Sequence, residues 1–124
     1  MRPFVYQRAN DAASAAQALS AAISDNAPLT QSGSQPLAGG TTLLDLMKLD
    51  VMRPDLVIDI NPLARQWSAI AVEDGRLRLG AMARMSDVAA NPAIQRDYPL
   101  IADSLKLAAS PQLRNMATLG GNVL

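Results

Sequence analysis

Two pairs of adjacent glycines are the residues of this sequence whose type and spacing could support chemistry. Gly39 and Gly40 lie in the stretch PLAGGTTLLDLMK, and Gly120 and Gly121 lie in ATLGGNVL. Glycine permits a positive φ and has no Cβ, so a ligand can approach its backbone closely. Amide N–H groups at the start of a helix lack an acceptor within the helix and favour an anion. Each pair is therefore a candidate backbone site for a phosphate group.

Taken alone, the first pair indicates a capped turn more strongly than a phosphate site. Thr42 and Asp45 have the spacing of a capping box, with Asp in place of the usual Glu or Gln. The stretch lacks the Gly-Lys-Ser/Thr ending of a P-loop and the third glycine of the Rossmann fingerprint. The second glycine pair changes the balance, because two glycine-rich turns suit a ligand with two phosphates and a flat ring system. The residues alone leave a nucleotide-type ligand and simple capped turns as open alternatives.

Other kinds of chemistry find little support in the composition. The chain has no Cys and no His, which excludes disulfides, iron–sulfur ligation by this chain and a Ser-His-Asp triad. Zinc sites built from thiolate or imidazole ligands are excluded for the same reason. Basic and acidic residues number 11 each, so no charge surplus indicates nucleic acid. Carboxylate chemistry and bound organic cofactors remain open.

The elements that must position the first pair follow a βαβ-like order. A brief buried strand is predicted at residues 36–38, before the glycines, and an apolar helix is predicted from Leu43. A β-branched strand follows at residues 56–60, with Asp59 as a turn or edge residue near its end. Residues 1–60 are therefore predicted to form an α/β subdomain.

The start of that subdomain is predicted from caps and turn formers. Residues 4–6 favour a short strand, and Asn10 or Asp11 can cap a helix that ends near Ser24. Residues 25–35 are rich in turn formers and are predicted to form a loop.

The second half of the chain has a different pattern. Residues 68–73 and 76–80 alternate around Asp74-Gly75, which predicts a β-hairpin. Short helices are predicted from Ser86 to about residue 91 and from residues 100 to 109. The second glycine pair is predicted as a turn near a strand, anchored by Arg114. Residues 61–124 are therefore predicted to begin a second, α+β subdomain.

The length and the apolar runs set limits on location. At 124 residues the chain is one domain or a piece of one. No apolar run reaches the length of a signal peptide or a membrane span. We therefore expect a cytoplasmic location, or a periplasmic one reached through a partner's signal.

The two motifs and the residues between them resemble one known family. AGGTTLLDLMK and QLRNMATLGGNVL are similar to the FAD-binding medium subunit of the molybdenum hydroxylases, which include xanthine dehydrogenase and aldehyde oxidoreductase. RPDLVIDIN, LRLGAMARMSDVA and RDYPLIADSL resemble the same family in the same order. The resemblance covers nearly the whole chain. It implies an α/β to α+β architecture, the N-terminal part of an FAD-binding domain of the p-cresol methylhydroxylase type.

The resemblance also implies which residues contact the cofactor. The first glycine segment (residues 36–43) would wrap the FAD pyrophosphate with its amides. The second glycine segment (residues 118–122) would lie along the pyrophosphate and the flavin. Ala108, on the preceding helix, would border the flavin or adenine. Family members often carry Asn, Asp or Glu where this chain has Thr42. The implied cofactor-binding residues are Pro36, Leu37, Ala38, Gly39, Gly40, Thr41, Thr42, Leu43, Ala108, Thr118, Leu119, Gly120, Gly121 and Asn122.

The implied activity is electron transfer within a larger oxidoreductase. An aldehyde, purine or similar substrate would be oxidised on a large molybdopterin subunit. Electrons would pass through the iron–sulfur clusters of a small subunit to FAD, and then to an acceptor. Because the chain has neither His nor Cys, we expect FAD to bind noncovalently. The cofactor performs the redox chemistry, so no catalytic residue is assigned to this chain.

Two other classes of function stay open on the sequence alone. One is a nucleotide-binding module that uses the same segments for a ligand other than a flavin. The other is a structural fragment that binds no ligand. Family subunits continue past the Gly-Gly-Asn motif, so we expect this chain to be an N-terminal fragment. Alone, such a fragment is expected to bind FAD weakly and to be inactive.

Overall fold

The computed structural model of the protein describes residues 1–21, 28 and 31–123. The chain forms two compact units, Met1–Leu63 and Ala64–Leu124. The sequence analysis placed the boundary slightly earlier, after residue 60. Both units contain helices and strands, as predicted. The predicted helix end near Ser24 and part of the predicted loop at 25–35 lie outside the described residues.

The first unit is built on a three-stranded parallel sheet. Its strands are β1 (Val5–Arg8), β2 (Ser34–Leu37) and β3 (Leu56–Asp59). The order is β1-β3-β2, so β3 lies in the centre and pairs with both neighbours along its whole length. Val57 and Ile58 of β3 are fully buried, as expected for a β-branched run in a parallel sheet. Helix α2 (Leu43–Lys48) connects β2 to β3, which confirms the predicted βαβ order.

Helix α1 (Ala12–Ser20) begins at a cap that the sequence predicted. The Asp11 carboxylate accepts the amide hydrogen of Ser14 at 2.7 Å, and the Ser14 hydroxyl completes a capping box. These hydrogen bonds, with that from the Ser14 amide the strongest, hold the pKa of Asp11 below its ordinary value. One buried cluster joins α1 to the sheet: Ala9, Ala15, Ile58 and Leu63.

The second unit begins with a short helix that the sequence analysis missed, α3 (Ala64–Trp67). The predicted hairpin follows as β4 (Ile70–Glu73) and β5 (Arg76–Leu79). Asp74 and Gly75 have φ values of 50° and 71°, the left-handed geometry that this dipeptide favours in a two-residue hairpin turn. The hairpin prediction is therefore confirmed, although its first strand starts at Ile70 and not at residue 68.

Five short helices complete the second unit. They are α4 (Met85–Ala90), α5 (Pro92–Asp97), α6 (Pro99–Leu107), α7 (Pro111–Met116) and α8 (Leu119–Val123). Ser86 does not cap α4, because the helix already begins at Met85 after Arg84. Proline opens α5, α6 and α7, where its fixed φ and missing N–H carry no penalty. The core of the unit contains Ala83, Met85, Val88, Ala89, Ile94, Ala102 and Leu105.

Two features are absent from the described residues, a membrane-spanning helix and a cluster of metal-binding side chains. None of the helices there is long and apolar enough to cross a membrane. No group of three or more His, Cys, Asp or Glu side chains in that part of the chain is placed to hold a metal ion.

Candidate functional site

The first glycine segment begins with the last two residues of β2 and ends at the first residue of α2. Gly40 has a φ of +74°, which glycine adopts without strain. A Cβ on Gly40 would stand 2.9 Å from Cδ1 of Leu37 and 3.1 Å from Cδ1 of Leu44. The turn itself therefore requires glycine at position 40, because both its backbone angle and its packing exclude a side chain.

Several peptide carbonyls of this segment are held by hydrogen bonds. Three of its carbonyl oxygens accept backbone amides at 3.0 Å: Leu37 from Ile60, Gly40 from Leu44, and Thr42 from Leu46. The amide N–H groups of residues 38–43 have no acceptor among the residues that the structure describes. In a planar trans peptide the N–H points away from the C=O. Each bound carbonyl therefore directs the N–H of the next residue (Ala38, Thr41 and Leu43) away from the group that holds the carbonyl, where an anion can accept it.

The predicted capping box at the start of α2 is wrong. Thr42 has φ −90° and ψ −49°, a helical conformation, and its side chain makes no capping hydrogen bond. An N-cap residue needs an extended backbone to bring its hydroxyl back to the first-turn amides. The first-turn amides of α2 are therefore not occupied by Thr42, and Asp45 is an exposed helix residue without a capping role.

Two residues that the sequence analysis did not place in the site contact the first glycine segment. The side-chain amide nitrogen of Asn61 donates to the carbonyl oxygen of Ala38 at 2.9 Å and to Oδ1 of Asp59 at 2.7 Å. The backbone N–H of Asn61 donates to the same Oδ1 at 2.9 Å, an Asx turn that ends β3. Of the two predicted roles of Asp59, the turn residue is therefore confirmed and the edge residue is wrong, because Asp59 ends the central strand and is only 6% exposed.

A sequence signal for these residues was present. The carboxyl ends of neighbouring parallel strands meet at one edge of a sheet, and polar groups that serve a ligand gather there. The Asp-Ile-Asn stretch begins at the last residue of β3, and the glycine pair comes shortly after the last residue of β2. Pairing β2 with β3 would have placed Asn61 beside Ala38.

The Asp59 carboxylate is held in its charged form. Burial raises the pKa of Asp59, but the hydrogen bonds from Tyr6 and Asn61 and the nearby Arg8 outweigh burial and hold the pKa below its ordinary value. The Tyr6 hydroxyl donates to Oδ2 at 2.6 Å, which raises the pKa of Tyr6. Nε of Arg8 lies 3.6 Å from the same oxygen. Asp59 is therefore a fixed acceptor at neutral pH.

The second glycine segment lies mostly in a helix, not in the predicted turn. Both glycines belong to α8, and Thr118 pairs with Arg84 in an isolated antiparallel bridge. The amide of Gly120 donates to the carbonyl oxygen of Ala81 at 2.8 Å. A Cβ on Gly121 would meet only Oγ1 of Thr118, at 3.6 Å. Within this unit, Gly121 therefore has an open face.

Ala108 does not lie on α6, as the sequence analysis proposed, but caps its end with an extended backbone of φ −78° and ψ 130°. Ala109 then has a φ of 51°. Nη1 of Arg114 donates to the carbonyl oxygens of Ala108 and Ala109, each at 2.9 Å. Arg114 therefore anchors this turn and not the second glycine segment. Ala108 and Leu119 both pack against the core of the second unit.

An apolar cavity of about 540 Å³ borders the second glycine segment within the same unit. Its volume lies within the range of about 300–1,000 Å³ that is common for small-molecule sites. Its lining includes Leu79, Ala81, Leu100, Ile101, Gly120 and Asn122. The second segment therefore offers an apolar surface, whereas the first offers amide donors.

Comparison with known proteins identifies the family. The family described as "FAD binding domain in molybdopterin dehydrogenase" matches residues 2–124. The aldehyde oxidoreductase FAD-binding subunit PaoB of Escherichia coli is 45% identical over 100% of this chain and 36% of its own length. The carbon monoxide dehydrogenase medium chain of Hydrogenophaga pseudoflava is 40% identical over 70% of this chain and 30% of its own length.

Solved structures agree with this result. Carbon monoxide dehydrogenase from Hydrogenophaga pseudoflava superposes with a TM-score of 0.85 at 34% identity, over 98% of this chain and 39% of that one. Quinoline 2-oxidoreductase from Pseudomonas putida shares the fold, with a TM-score of 0.81 at 23% identity, over 97% of this chain and 39% of that one. This chain thus spans between 30% and 39% of the length of each of these relatives. It belongs to the family of FAD-binding domains found in molybdopterin dehydrogenases.

Proposed function

We propose that this chain binds FAD noncovalently as part of the medium subunit of a molybdenum hydroxylase. The observation that carries the proposal is the series of amide donors at residues 38–43, four of which follow a peptide carbonyl that accepts a hydrogen bond from the protein. A diphosphate presents several oxygens that accept such hydrogen bonds, and bonds to a charged acceptor are about twice as strong as neutral ones. Membership of an FAD-binding family supports the same ligand.

The first glycine segment, Pro36 to Leu43, would hold the pyrophosphate. Its amides donate to phosphate oxygens, and the hydroxyls of Thr41 and Thr42 can add further hydrogen bonds. Gly40 keeps the turn in the conformation that these amides require. No Lys or Arg occurs between residues 36 and 43, so the backbone alone supplies the positive ends of the dipoles.

The second glycine segment, Thr118 to Asn122, would contact the pyrophosphate and the flavin. The open face of Gly121 lets a flat ring approach the backbone without meeting a Cβ. Ala108 would border the flavin or the adenine. We further propose that the two units are the N-terminal α/β subdomain and the start of the second, α+β subdomain of a p-cresol methylhydroxylase-type fold.

The proposed role is to hold the FAD through which electrons would pass from the iron–sulfur clusters of a partner subunit to an acceptor. Bound FAD supplies the redox chemistry, and this chain binds and orients it. We propose an iron–sulfur small subunit and a molybdopterin large subunit as partners, with an aldehyde, a purine or a similar compound oxidised on the large subunit. We propose a cytoplasmic location for the complex, or a periplasmic one reached through a partner's signal.

An absorption spectrum of the purified full-length protein tests the proposal. We expect the two visible and near-ultraviolet bands of an oxidised flavin, in about one equivalent per chain. Acid precipitation should release the flavin into the supernatant, because the chain has no Cys or His for a covalent link. Protein that shows no flavin bands after purification and incubation with FAD would contradict the proposal.

A further inference from the structure

We infer that Asn61 is a positioning residue for the cofactor: its side-chain amide, held by Asp59, sets the orientation of the Ala38–Gly39 peptide so that the Gly39 N–H faces the ligand. This inference rests on the proposed function, because it assigns a role in FAD binding to Asn61, which donates a hydrogen bond to the first glycine segment. It concerns a side chain outside that segment and is carried by three hydrogen bonds of the first unit.

The orientation of the Asn61 amide is determined by its surroundings. Its nitrogen lies 2.7 Å from Oδ1 of Asp59 and 2.9 Å from the carbonyl oxygen of Ala38. The carbonyl oxygen of Leu37 is 3.4 Å from the same nitrogen and already accepts the amide of Ile60. All three neighbours are acceptors, so only the NH₂ end of the amide can face them. Its two hydrogens are therefore assigned to Asp59 and Ala38.

The hydrogen bond from Asn61 holds the Ala38–Gly39 peptide, whose carbonyl accepts no backbone amide of a strand or helix in the described part of the chain. The other bound carbonyls of the segment accept backbone amides of the sheet edge or of α2. The carbonyl of Ala38 accepts from a side chain, that of Asn61. Because the peptide is planar and trans, holding this carbonyl directs the Gly39 N–H to the opposite side. Without Asn61, a glycine-containing peptide can rotate at low cost, because glycine permits most backbone angles.

Asp59 keeps Asn61 in place from the other side. Its Oδ1 accepts both the backbone and the side-chain N–H of Asn61, so the side chain cannot turn toward water without losing a charge-assisted hydrogen bond. Asp59 itself is 6% exposed at the end of the central strand. The central strand of the sheet is thereby connected, through the Asn61 side-chain amide, to the segment that would contact the pyrophosphate.

The substitution Asn61→Ala in the full-length protein tests this inference. FAD affinity is measured by titration of the apoprotein with FAD, followed by flavin fluorescence. Amide hydrogen exchange of the apoprotein is measured in a peptide that spans residues 36–44. We expect the dissociation constant to rise about tenfold or more, the effect of losing one or two well-directed hydrogen bonds. We also expect faster exchange in that peptide.

Tyr6→Phe is the matched control. It removes a hydrogen bond from Oδ2 of the same Asp59 but leaves both Asn61 contacts on Oδ1. We expect Tyr6→Phe to keep the wild-type FAD affinity and the wild-type exchange of the 36–44 peptide. An equal loss of affinity in both variants would overturn the inference, because it would assign the effect to general destabilisation around Asp59.

Asn61→Asp serves if the alanine variant does not fold. It preserves the size of the side chain but places an oxygen against the carbonyl of Ala38 and the carboxylate of Asp59, so FAD affinity should fall at least as far. Wild-type affinity and exchange in either Asn61 variant would overturn the inference while leaving the proposed function intact. If the wild-type protein binds no FAD, the proposed function fails, and the exchange measurement still decides whether Asn61 orders the segment.

Discussion

The amide nitrogen of Gly120 lies 2.8 Å from the carbonyl oxygen of Ala81, and a Cβ on Gly120 would stand only 3.1 Å from that same oxygen. The close approach of these two backbones requires glycine at position 120. Gly121, its neighbour in α8, has no such constraint. The two glycines of the second segment therefore differ in role. Gly120 allows close packing against Ala81, and Gly121 leaves one face of α8 open.

Gly121→Ala is expected to lower FAD affinity without harming the fold. Its Cβ would make one ordinary contact, at 3.6 Å from Thr118. Alanine in a helix is favoured over glycine by about 1 kcal/mol, so the free energy of unfolding should stay equal or rise slightly. The added methyl group would occupy the face where the proposed ligand approaches. Urea unfolding and FAD titration of the same variant measure both effects.

Gly120→Ala is the contrasting variant. Its Cβ would lie 3.1 Å from both Cβ and O of Ala81, so the neighbouring backbone must shift. We expect a loss of about 1–3 kcal/mol in the free energy of unfolding, typical of overpacking.

If Gly121→Ala binds FAD as tightly as the wild type, the open face of Gly121 is not a ligand contact.

Gly40→Ala should destabilise the apoprotein more than Gly75→Ala. Both glycines have nearly the same φ, +74° and +71°, so both variants carry the cost of about 1–2 kcal/mol for a left-handed alanine. Only position 40 adds a steric clash, with Leu37, since nothing lies within 4 Å of a Cβ at position 75. The free energies of unfolding of the two apoproteins in urea give the difference.

FAD affinity should fall in Gly40→Ala and stay unchanged in Gly75→Ala. The loss at position 40 is expected because the turn that orders the amides is deformed, and not because a methyl group meets a phosphate. Equal stability of the two apoproteins would show that Leu37 and Leu44 yield to the added Cβ.

The stabilising effect of Asp59 should disappear in acid. Its folded-state pKa is lowered, so its contribution is fully present above the unfolded carboxyl pKa of about 3.9 and is lost as the pH falls through the lower folded value. Asp11, Asp50 and Asp97 also have lowered pKa values, so the wild-type curve alone cannot isolate Asp59. The difference in free energy of unfolding between the wild type and Asp59→Asn should be constant from about pH 5 to about pH 7, because Asp59 is then charged in both the folded and the unfolded state. The difference should shrink below about pH 4. A difference that does not change with pH would contradict the charged, hydrogen-bonded state of Asp59.

Ala109→Gly is expected to stabilise the protein, by up to about 1 kcal/mol, because it relieves a left-handed alanine with φ 51°. Ala108→Gly should destabilise it by at least about 0.5–1 kcal/mol, because Ala108 has an ordinary extended backbone, glycine adds freedom to the unfolded chain, and the methyl group that packs against the core is lost. Urea unfolding compares the two variants. A loss of stability in Ala109→Gly would mean that its methyl group contributes packing that outweighs the strain.

The features that the sequence predicted well are those set by neighbouring residues. Asp74-Gly75 specifies its hairpin turn by backbone preference alone, and Asp11 caps α1 through a residue three positions away. The β-branched residues of β3 predict a buried strand, and Val57 and Ile58 are fully buried. Family membership was also readable, because it depends on the motifs themselves and not on their conformation.

The features that the sequence analysis missed depend on distant contacts. Gly120 lies in a helix because the segment after Thr118 packs on Ala81 and Ala83, which a local pattern of two glycines cannot reveal. Thr42 and Asp45 have the spacing of a capping box. After the turn at Gly40, however, the backbone of Thr42 is helical and its side chain does not cap α2. The contact between Asn61 and Ala38 joins residues that only the pairing of β2 with β3 brings together.

The orientation of peptides in the first glycine segment has a consequence for selectivity by charge. A peptide group has a donor at one end and an acceptor at the other, so whichever end the protein binds determines the sign of the ion that the other end attracts. Here four of the six carbonyl ends that precede the amides of residues 38–43 are bound, which favours anions without any basic side chain between residues 36 and 43. Such a surface has no proton to gain or lose across the physiological pH range. The preference for an anion therefore follows from which end of each peptide group the protein binds. It persists through changes of pH that would remove the charge of a histidine-based site.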